Sequence, residues 1–475
     1  MAVQLRVGAI FGMFCFINLL NCIDRGIIPG APIEFQGFIQ RTHNVSSDSV
    51  SIYIGLLQSI FIGSYSIFIC VFGYLSMTRK PFQLMAISLF VWILSIVMCG
   101  LAKPLDSFYL LLFGRLISGI GEASFHATAP PFIDEFAPPA KRTLWLGCYY
   151  ATFSIGQALG FSYGSVTART VGWDYGFYLT AVLMVPVVYA CYAWIPDHLD
   201  KPLGKKKLED AASKSADLQE EFVPSTSTHA PHSFWRETFE IAKNPAFLAS
   251  AFGLSAFTFT IQGMVAFAPA ILIGYGLLSE SIASTAFGGI VVLAGLIGSP
   301  LSGYILDKVV RGHDDDRYFR LHRAAFQMFV SIAIGVALLL LSLGFMNSKF
   351  VFLGLVFSGF SFVSDAQRGY AMGLSTFIQH LFGDVPAAVI LGALKDMWAP
   401  HCGSKVDTSG KDVLDPDCHL DKDGLRYTLA FAYGWLLWTV LCWGITYVIG
   451  RKWHIKADAA KALEASPSVN VVAQE

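Results

Sequence analysis

Four charged residues lie inside segments of the sequence that are otherwise apolar. Asp24 and Arg25 stand side by side near the end of the first apolar segment, and Arg115 and Glu122 stand in the fourth. The spacing of this second pair is two helical turns, which places both side chains on one helix face. Because a charge at the centre of a bilayer costs about 2.5–3.5 kcal/mol, such residues usually pair with one another and mark an ion or substrate path. A static ion network that holds helices together is the alternative.

A second group of polar residues lies in later apolar segments. His380 and Asp384 are four residues apart, on one helix face, and histidine titrates near neutral pH. They could form a proton relay, or a hydrogen-bonded pair that steadies the helix. Thr258 and Gln262 lie among phenylalanines in FGLSAFTFTIQGMVAFAP, a stretch that would suit the wall of a lipid-tail site but is equally typical of a helix that faces lipid or core.

The composition predicts the elements that carry these residues. Hydrophobic residues make up 54% of the 475, charged residues only 14%, and the mean hydropathy is +0.55, which excludes a soluble globular protein. Apolar runs of about 20 residues span a bilayer as helices. We count twelve of them, at 7–29, 51–75, 82–102, 106–130, 143–168, 175–196, 245–273, 282–307, 320–345, 350–367, 374–397 and 425–450.

One long polar stretch divides the twelve runs into six and six. Residues 197–244 carry Lys205, Lys206 and Lys207 followed by a Ser/Thr/Pro-rich patch, which is typical of a solvated linker. We therefore predict an N-terminal half (1–196), a cytosolic linker (197–244), a C-terminal half (245–450) and a cytosolic tail (451–475). Placing the linker and both termini in the cytosol puts most of the 33 Lys and Arg residues there, as the positive-inside rule requires.

The opposite side of the membrane then receives the loops 30–50 and 398–424. Cys402 and Cys418 share the second loop, and we predict that they form a disulfide, since this side is the oxidising one. Asn44 begins the sequon Asn-Val-Ser in the first loop and is a candidate glycosylation site. The other seven cysteines lie singly in apolar runs, where we interpret each as a small hydrophobic residue.

Glycines mark an internal repeat and a close helix contact. Gly73 begins a basic loop that contains Arg79 after the second run, and Gly303 begins a similar stretch with Asp307 and Lys308 after the eighth. The fifth run has glycines at every fourth position, which allows a neighbouring helix to approach, either as a sliding surface between the halves or as static packing. These glycines are Gly156, Gly160 and Gly164.

The two halves, the central linker and the glycine-led basic loops resemble the major facilitator superfamily over nearly the whole chain. Three stretches further resemble its Spinster-like sphingolipid and lysolipid transporters: NLLNCIDR (18–25), GRLISGIGEASFHATAPPFI (114–133) and FIQHLFGDVPAAVILGALKD (377–396). The resemblance implies an all-α integral membrane protein with the twelve-transmembrane-helix major facilitator fold in two six-helix halves. It also implies a secondary active, proton-coupled transporter of an amphipathic lipid, such as a lysophospholipid or sphingoid phosphate, working by alternating access.

The resemblance also assigns roles to residues. It implies that the charges of the first and fourth spans face a central cavity, with Asp24 as the protonation site, Arg115 as its modulating partner and Glu122 beside them. We expect the head group to be held by Arg115, Glu122 and their neighbours while the tail lies along the apolar second half. The expected substrate-binding residues are Arg25, Arg115, Glu122, Thr258, Gln262, His380 and Asp384. In the loop after the second span, Met77 and Thr78 stand where the superfamily normally has an aspartate and a basic residue. The latch that this loop provides in the superfamily is therefore not expected here.

Other classes of function fit the sequence less well. A carrier of a sugar, sugar phosphate or other small organic anion would be expected to have polar groups on both halves, whereas spans 7 to 9 have no ionisable residue at cavity depth. The sequence shows no metal cluster, nucleophile elbow or nucleotide loop, so we do not expect an enzyme, a metal or a cofactor. The absence of a basic run interleaved with aromatics argues against nucleic acid. We expect a monomer in the plasma membrane or an endolysosomal membrane.

Overall fold

The computed structural model describes residues 5–138, 141–202, 243–311, 316–364, 373–408 and 410–465. Most of the predicted linker, residues 203–242, and the side chain of Asp307 lie outside this set. The described residues are largely helical. The N-terminal half contains helices α1 (Val7–Gly30), α2 (Pro32–His43), α3 (Val50–Leu75), α4 (Pro81–Leu101), α5 (Phe108–Phe136), α6 (Arg142–Thr170) and α7 (Trp173–Ala193).

The C-terminal half has a matching set of helices and one short hairpin. Its helices are α8 (Pro245–Gly274), α9 (Glu280–Val310), α10 (Arg317–Ser342), α11 (Lys349–Ser364), α12 (Gly373–Gln379), α13 (Val385–Trp398) and α14 (Lys422–Ala465). A π-helical segment, His380–Asp384, joins α12 to α13. Strands β1 (Ser404–Val406) and β2 (Asp412–Leu414) pair antiparallel between α13 and α14.

Each of the twelve predicted spans coincides with one of these helices, the eleventh with α12, the π-helical segment and α13 together. Ten helical stretches among the described residues are at least 18 residues long and apolar enough to cross a membrane. Helix α6 is not among the ten, and α11 has a shorter apolar stretch, Lys349–Phe362. The protein is therefore a multi-pass membrane protein with the predicted all-α fold.

Several boundaries differ from the prediction. The stretch from Gly303 to Lys308, predicted as a loop, is helical, because no glycine or proline follows Gly303 until α9 has ended at Val310. Helix α14 continues past residue 450 to Ala465, so the first part of the predicted tail is helical; alanines and lysines, which favour helix, dominate this part. The loop 30–50 contains α2, whose proline at the first helical turn favours helix initiation.

Helix beginnings follow the usual capping chemistry. The side chain of Asn244 accepts hydrogen bonds from the backbone N–H groups at the start of α8, and Asp316 does the same for α10. Ser107 accepts from the backbone N–H of Leu110 at the start of α5. These caps satisfy donors that the first turn of a helix leaves unpaired.

The two halves meet along two pairs of helices. Helix α3 packs against α13, and α6 packs against α9. The end of the bundle that carries α2, the hairpin and both loop cysteines is called the disulfide side below. The end at which α7 stops and α8 begins is called the linker side.

Candidate functional site

Helices α1 and α5 bring the four predicted charges together as two ion pairs. Arg115 Nη1 donates to Asp24 Oδ2 at 2.8 Å, and Arg25 Nη2 donates to Glu122 Oε1 at 2.7 Å. The side chains of Asp24, Arg115 and Glu122 are fully buried, and that of Arg25 is 17% exposed. Arg25 therefore does not turn outward to the membrane surface; it is the one accessible guanidinium of the cluster.

An aromatic ring of α3 separates the two guanidinium groups. The Cζ atom of Arg115 lies 4.5 Å from the ring centroid of Phe61, and that of Arg25 lies 5.0 Å from the same centroid. Tyr65, one turn further along α3, has its ring 5.2 Å from Arg25 Cζ. Cation–π attraction thus partly offsets the loss of hydration of both arginines.

His126 extends the cluster by one helical turn. Its Nδ1 is 3.6 Å from Glu122 Oε1, and its Nε2 is 3.3 Å from Asn18 Oδ1 on α1. The Asn18 amide also donates to the carbonyl of Tyr149 and to Thr152 on α6. Helices α1, α5 and α6 therefore share one polar network inside the first half.

Hydrogen bonding within this network is incomplete. Asp24 Oδ1, Arg115 Nε and Nη2, and both amide atoms of Asn21 are buried without a partner among the described residues. Asn21 lies one turn before Asp24 on α1, so the two share a helix face. Because an unsatisfied buried polar group costs about 1–3 kcal/mol, such groups are unusual in a purely structural network.

The predicted pair in the second half faces the same region. His380 Nδ1 and Asp384 Oδ2 lie 2.5 Å apart across the π-helical segment, and the ring of His380 is 5.6 Å from that of Tyr65. Single π-helical turns inside α-helices frequently occur at functional sites. Tyr65 also lies 5.6 Å from His126, so its ring bridges the polar groups of the two halves.

Thr258 and Gln262 lie on α8, in the second half. Thr258 is buried and donates to the carbonyl of Ser255, and a Cβ atom on Gly383 would lie 2.3 Å from Thr258 Oγ1. Thr258 thus packs against the π-helical segment. Gln262 is half-buried one turn further along α8.

The glycine repeat of α6 packs against α1 of the same half. Added Cβ atoms at Gly156, Gly160 and Gly164 would lie 2.7, 2.5 and 2.5 Å from atoms of Cys22, Ile23 and Ile27. Of the two interpretations of this repeat, the structure favours static packing over a sliding surface between the halves. The repeat fixes α1, and with it Asp24 and Arg25.

Polar contacts between the halves, as far as the described residues show them, lie mostly on the disulfide side. Asp396, near the end of α13, accepts hydrogen bonds from the backbone N–H groups of Ser51 (3.1 Å) and Ile52 (2.9 Å) at the start of α3. Lys395 is buried and donates to Ser51 Oγ and to the carbonyl of Cys402, each at 2.9 Å. Arg41 of α2 forms an ion pair with Asp412 of β2. A carboxylate of one half thus caps a helix of the other, and the neighbouring lysine binds a hydroxyl in the first turn of that helix.

The other predicted residues lie outside the charged cluster. Cys402 and Cys418 are joined by a disulfide, and Asn44 is exposed at the end of α2 in the left-handed region, with φ of 53°. Gly73 lies in α3 with open space around its Cα, and Arg79 is exposed in the turn that follows. Lys308 is exposed on α9. None of these positions takes part in the charged cluster.

Sequence reasoning missed Phe61, Tyr65 and His126. Aromatic residues are common in apolar helices, so the first two carry no distinctive signal. His126 follows Glu122 by four residues, and this spacing could have identified it.

Ion pairs inside the first helical half that face a histidine–aspartate pair of the second, in a bundle of membrane-length helices, define a multi-pass membrane protein of the carrier type. The sequence profile of the Major Facilitator Superfamily matches residues 14–394, and the chain belongs to this superfamily.

Two relatives that are similar to the chain over most of its length are named Spinster homologs. The chain is 26% identical over 429 residues to "Probable sphingolipid transporter spinster homolog 1" of Arabidopsis thaliana, covering 82% of this chain and 83% of the relative. It is 27% identical over 429 residues to "Protein spinster homolog 1" of Homo sapiens, covering 83% and 75%.

Solved structures show the same fold. A bacterial homolog of the human lysosomal transporter Spinster matches in its inward-facing, unoccupied conformation with a TM-score of 0.69 at 16% identity, covering 94% of this chain and 98% of that one. Its inward-facing, occupied conformation gives 0.66 at 16% identity, with 92% and 96% covered. A D-xylose-proton symporter gives 0.62 at 15%, with 93% and 97% covered.

Proposed function

We propose that this protein is a proton-coupled secondary carrier of an amphipathic lipid with an anionic head group, such as a lysophospholipid or sphingoid phosphate. The observation that carries the proposal is the set of two ion pairs in the first half, of which the Asp24–Arg115 pair is fully buried and incompletely hydrogen-bonded, together with the His380–Asp384 pair of the second half that faces them. The name of the Arabidopsis relative, "Probable sphingolipid transporter spinster homolog 1", agrees with a lipid substrate.

The two ion pairs have different accessibility, which divides the work between them. We assign proton loading to Asp24, because it is a titratable carboxylate bonded to the buried Arg115: a proton on Asp24 removes its charge and releases Arg115, and deprotonation restores the bond. Arg25 is partly exposed and is the first guanidinium that an anionic head group meets. The head-group contact predicted for Arg115 thus moves to Arg25 in this conformation.

A head group that binds Arg25 competes with Glu122 for the same N–H donors. Glu122 then becomes a buried, unpaired carboxylate, which favours its protonation or its interaction with His126. Glu122 is in this way a second carboxylate, beside Asp24, whose protonation depends on whether substrate is bound.

The second half supplies an apolar environment for the lipid tail. The region where α8, α9, α11 and α14 meet is apolar, with residues that include Met264, Phe287, Phe352, Leu429 and Tyr433, and in this conformation the gap between them has room for about one water molecule. A tail bound there requires these helices to move apart, and the charged first half and the apolar second half would then match the two ends of an amphipathic molecule. A sugar would leave the apolar side without a function.

Transport by purified protein in proteoliposomes tests the proposal. The panel contains a lysophospholipid, a sphingoid phosphate, a sugar and a sugar phosphate, each with and without a pH gradient. We expect accumulation of one of the lipids that depends on the gradient. Accumulation of the sugar or sugar phosphate without transport of either lipid would overturn the lipid assignment, and lipid transport that ignores the gradient would overturn the coupling.

We further propose that the linker side is cytosolic and the disulfide side is lumenal or extracellular. The distribution of Lys and Arg and the disulfide between Cys402 and Cys418 support this orientation.

A further inference from the structure

Three side chains with metal-ligating atoms meet on the linker side of the second half, away from the charged cluster. Asp316 precedes α10, and His454 and Asp458 lie one turn apart on the part of α14 that continues beyond the predicted span. One potential ligand atom from each residue lies within 4.8 Å of those of the other two. No other such group occurs in the part of the chain that the structure describes.

The spacing between His454 and Asp458 fits a shared metal ion. His454 Nε2 and Asp458 Oδ2 are 3.3 Å apart. Two ligands that each lie about 2.0–2.2 Å from a tetrahedral zinc ion are about 3.4 Å from each other. A charge-assisted hydrogen bond between the same groups would be shorter, at about 2.7–2.9 Å.

Ring packing fixes the orientation of the imidazole. The ring of His454 lies 5.5 Å from that of Phe319 and 5.5 Å from that of His322, which in turn stacks on Tyr447 at 5.2 Å. The Nδ1 atoms of both histidines are buried without a partner among the described residues. The rings of α10 and α14 therefore hold the His454 ring in place, and its Nε2 faces Asp458.

Asp316 can serve two purposes at once. One of its carboxylate oxygens caps α10 by accepting from the backbone N–H groups of Tyr318 and Phe319. An ionised carboxylate offers about four lone-pair sites on two oxygens, so capping does not exhaust its capacity. The cap in addition fixes the carboxylate in position relative to α14.

We propose that Asp316, His454 and Asp458 bind a divalent transition-metal ion of the zinc class, which ties the extension of α14 to the start of α10. The donor set of one imidazole and two carboxylates suits zinc, whereas magnesium and calcium prefer oxygen ligands alone. The two carboxylates balance the charge of the ion, which matters because Arg451 and Lys452 lie within one turn of His454. The site is independent of the proposed transport activity.

Metal titration of the full-length protein tests the site. The protein is prepared without an affinity tag, stripped with a chelator, and titrated in lipid nanodiscs with Co²⁺, whose absorption spectrum reports imidazole and carboxylate ligation, and then with Zn²⁺ as competitor. We expect one ion per chain, and a loss of affinity of at least about tenfold in both His454→Gln and Asp458→Asn.

The matched control is another histidine–aspartate pair. His401 and Asp421 are 3.1 Å apart on the disulfide side, without a third ligand nearby, so His401→Gln should leave the Co²⁺ titration unchanged. A thermal-unfolding series gives a second readout: Zn²⁺ should raise Tm of the wild type but not of His454→Gln, which also shows whether the variant is folded. The proposal is overturned if His454→Gln binds Co²⁺ as tightly as the wild type, or if the wild type binds none.

Discussion

At the residue scale, two ion pairs join α1 to α5. Asp24, Arg115 and Glu122 stand out in the sequence because ionisable residues are rare in apolar spans. Which arginine meets which carboxylate depends on how α1 and α5 are rotated about their axes, and one step of rotation would exchange the partners. Phe61 and Tyr65, which contact the guanidiniums, have no sequence signal of their own.

Asp24→Asn should abolish accumulation of substrate that depends on a pH gradient, while exchange without a gradient continues in part. Asparagine keeps the shape and a hydrogen-bonding group but cannot take up a proton. Proteoliposome uptake with equal protein incorporation measures this, and Asp197→Asn, which removes a surface carboxylate paired with Lys80, serves as the control. If Asp24→Asn still accumulates substrate against a gradient, the coupling site lies elsewhere, at Glu122 or His380.

Arg25→Gln should weaken binding of an anionic lipid by about tenfold, the effect of losing one charge-assisted bond of about 1.5 kcal/mol. The variant also leaves Glu122 buried and unpaired, which would lower stability whatever the role of Arg25. The double variant Arg25→Gln/Glu122→Gln separates these effects, because it should restore stability without restoring affinity. Recovery of both in the double variant would show that Arg25 has only a structural role.

At the element scale, the membrane-spanning helices were predictable from sequence, but α2 and the extension of α14 beyond residue 450 were not. Apolar runs of bilayer length identify the spans directly, and each coincides with a helix in the structure. Helix α2 and the end of α14 are polar enough to be taken for loop or tail. The four-residue spacing of the α6 glycines predicts that a helix packs closely there. It does not predict which helix, and only the structure identifies α1.

Gly160→Ala should destabilise the first half by about 1–3 kcal/mol, because its Cβ atom would lie 2.5 Å from the carbonyl oxygen of Ile23 in a tightly packed contact. Gly147→Ala on the same helix is the matched control: no atom lies within 4 Å of its added Cβ, and alanine favours helix there by about 1 kcal/mol. Thermal unfolding in detergent compares them. Equal Tm values for the two variants would show that α1 adjusts and that the contact is not tight.

At the scale of the whole molecule, the fold was predictable from its repeat and linker, but the contacts that close one end were not. Asp396 and Lys395 lie at the end of an apolar run, where charged residues are ordinary. Their contact with the start of α3 joins positions more than 300 residues apart and depends on the packing of the two halves.

Acidification should stabilise the disulfide side through Glu34 of α2. Burial, the largest cause, raises the pKa of the Glu34 carboxyl above its usual 4.5, and Arg169 opposes this only in part. The native state therefore binds the proton more tightly than the unfolded state, so its stability rises as pH falls from the folded-state pKa towards 4.5.

Glu34→Gln removes this dependence. It should raise Tm at pH 7 relative to the wild type, and the difference should shrink as the pH is lowered towards 5. Asp423→Asn, which replaces an exposed carboxylate on the same side, is the control and should show no such trend. A Tm difference between Glu34→Gln and the wild type that stays constant with pH would contradict the assignment.

Asp396→Ala should open the disulfide side. The carboxylate accepts two backbone N–H bonds at the start of α3, where the helix dipole also favours a negative charge, and the alanine variant loses both. Hydrogen bonds to charged groups contribute about 1.5–3 kcal/mol each, so the ratio of closed to open molecules should fall by tenfold or more.

Asp396→Ala should change the distance between the two halves on the disulfide side. In the turn after α3, Met77 and Thr78 stand in place of the acidic and basic residues usual in the superfamily, so we do not expect this turn to hold the linker side closed. Spin labels at Asp106 and Lys349, exposed positions of the two halves on the disulfide side, report the distance between them. We expect a longer distance to become populated in Asp396→Ala but not in the control Asp423→Ala. An unchanged distribution would show that the glycine contacts between α3 and α13, where a Cβ on Gly55 would lie 2.2 Å from the carbonyl oxygen of Ala388, hold the halves together without the cap.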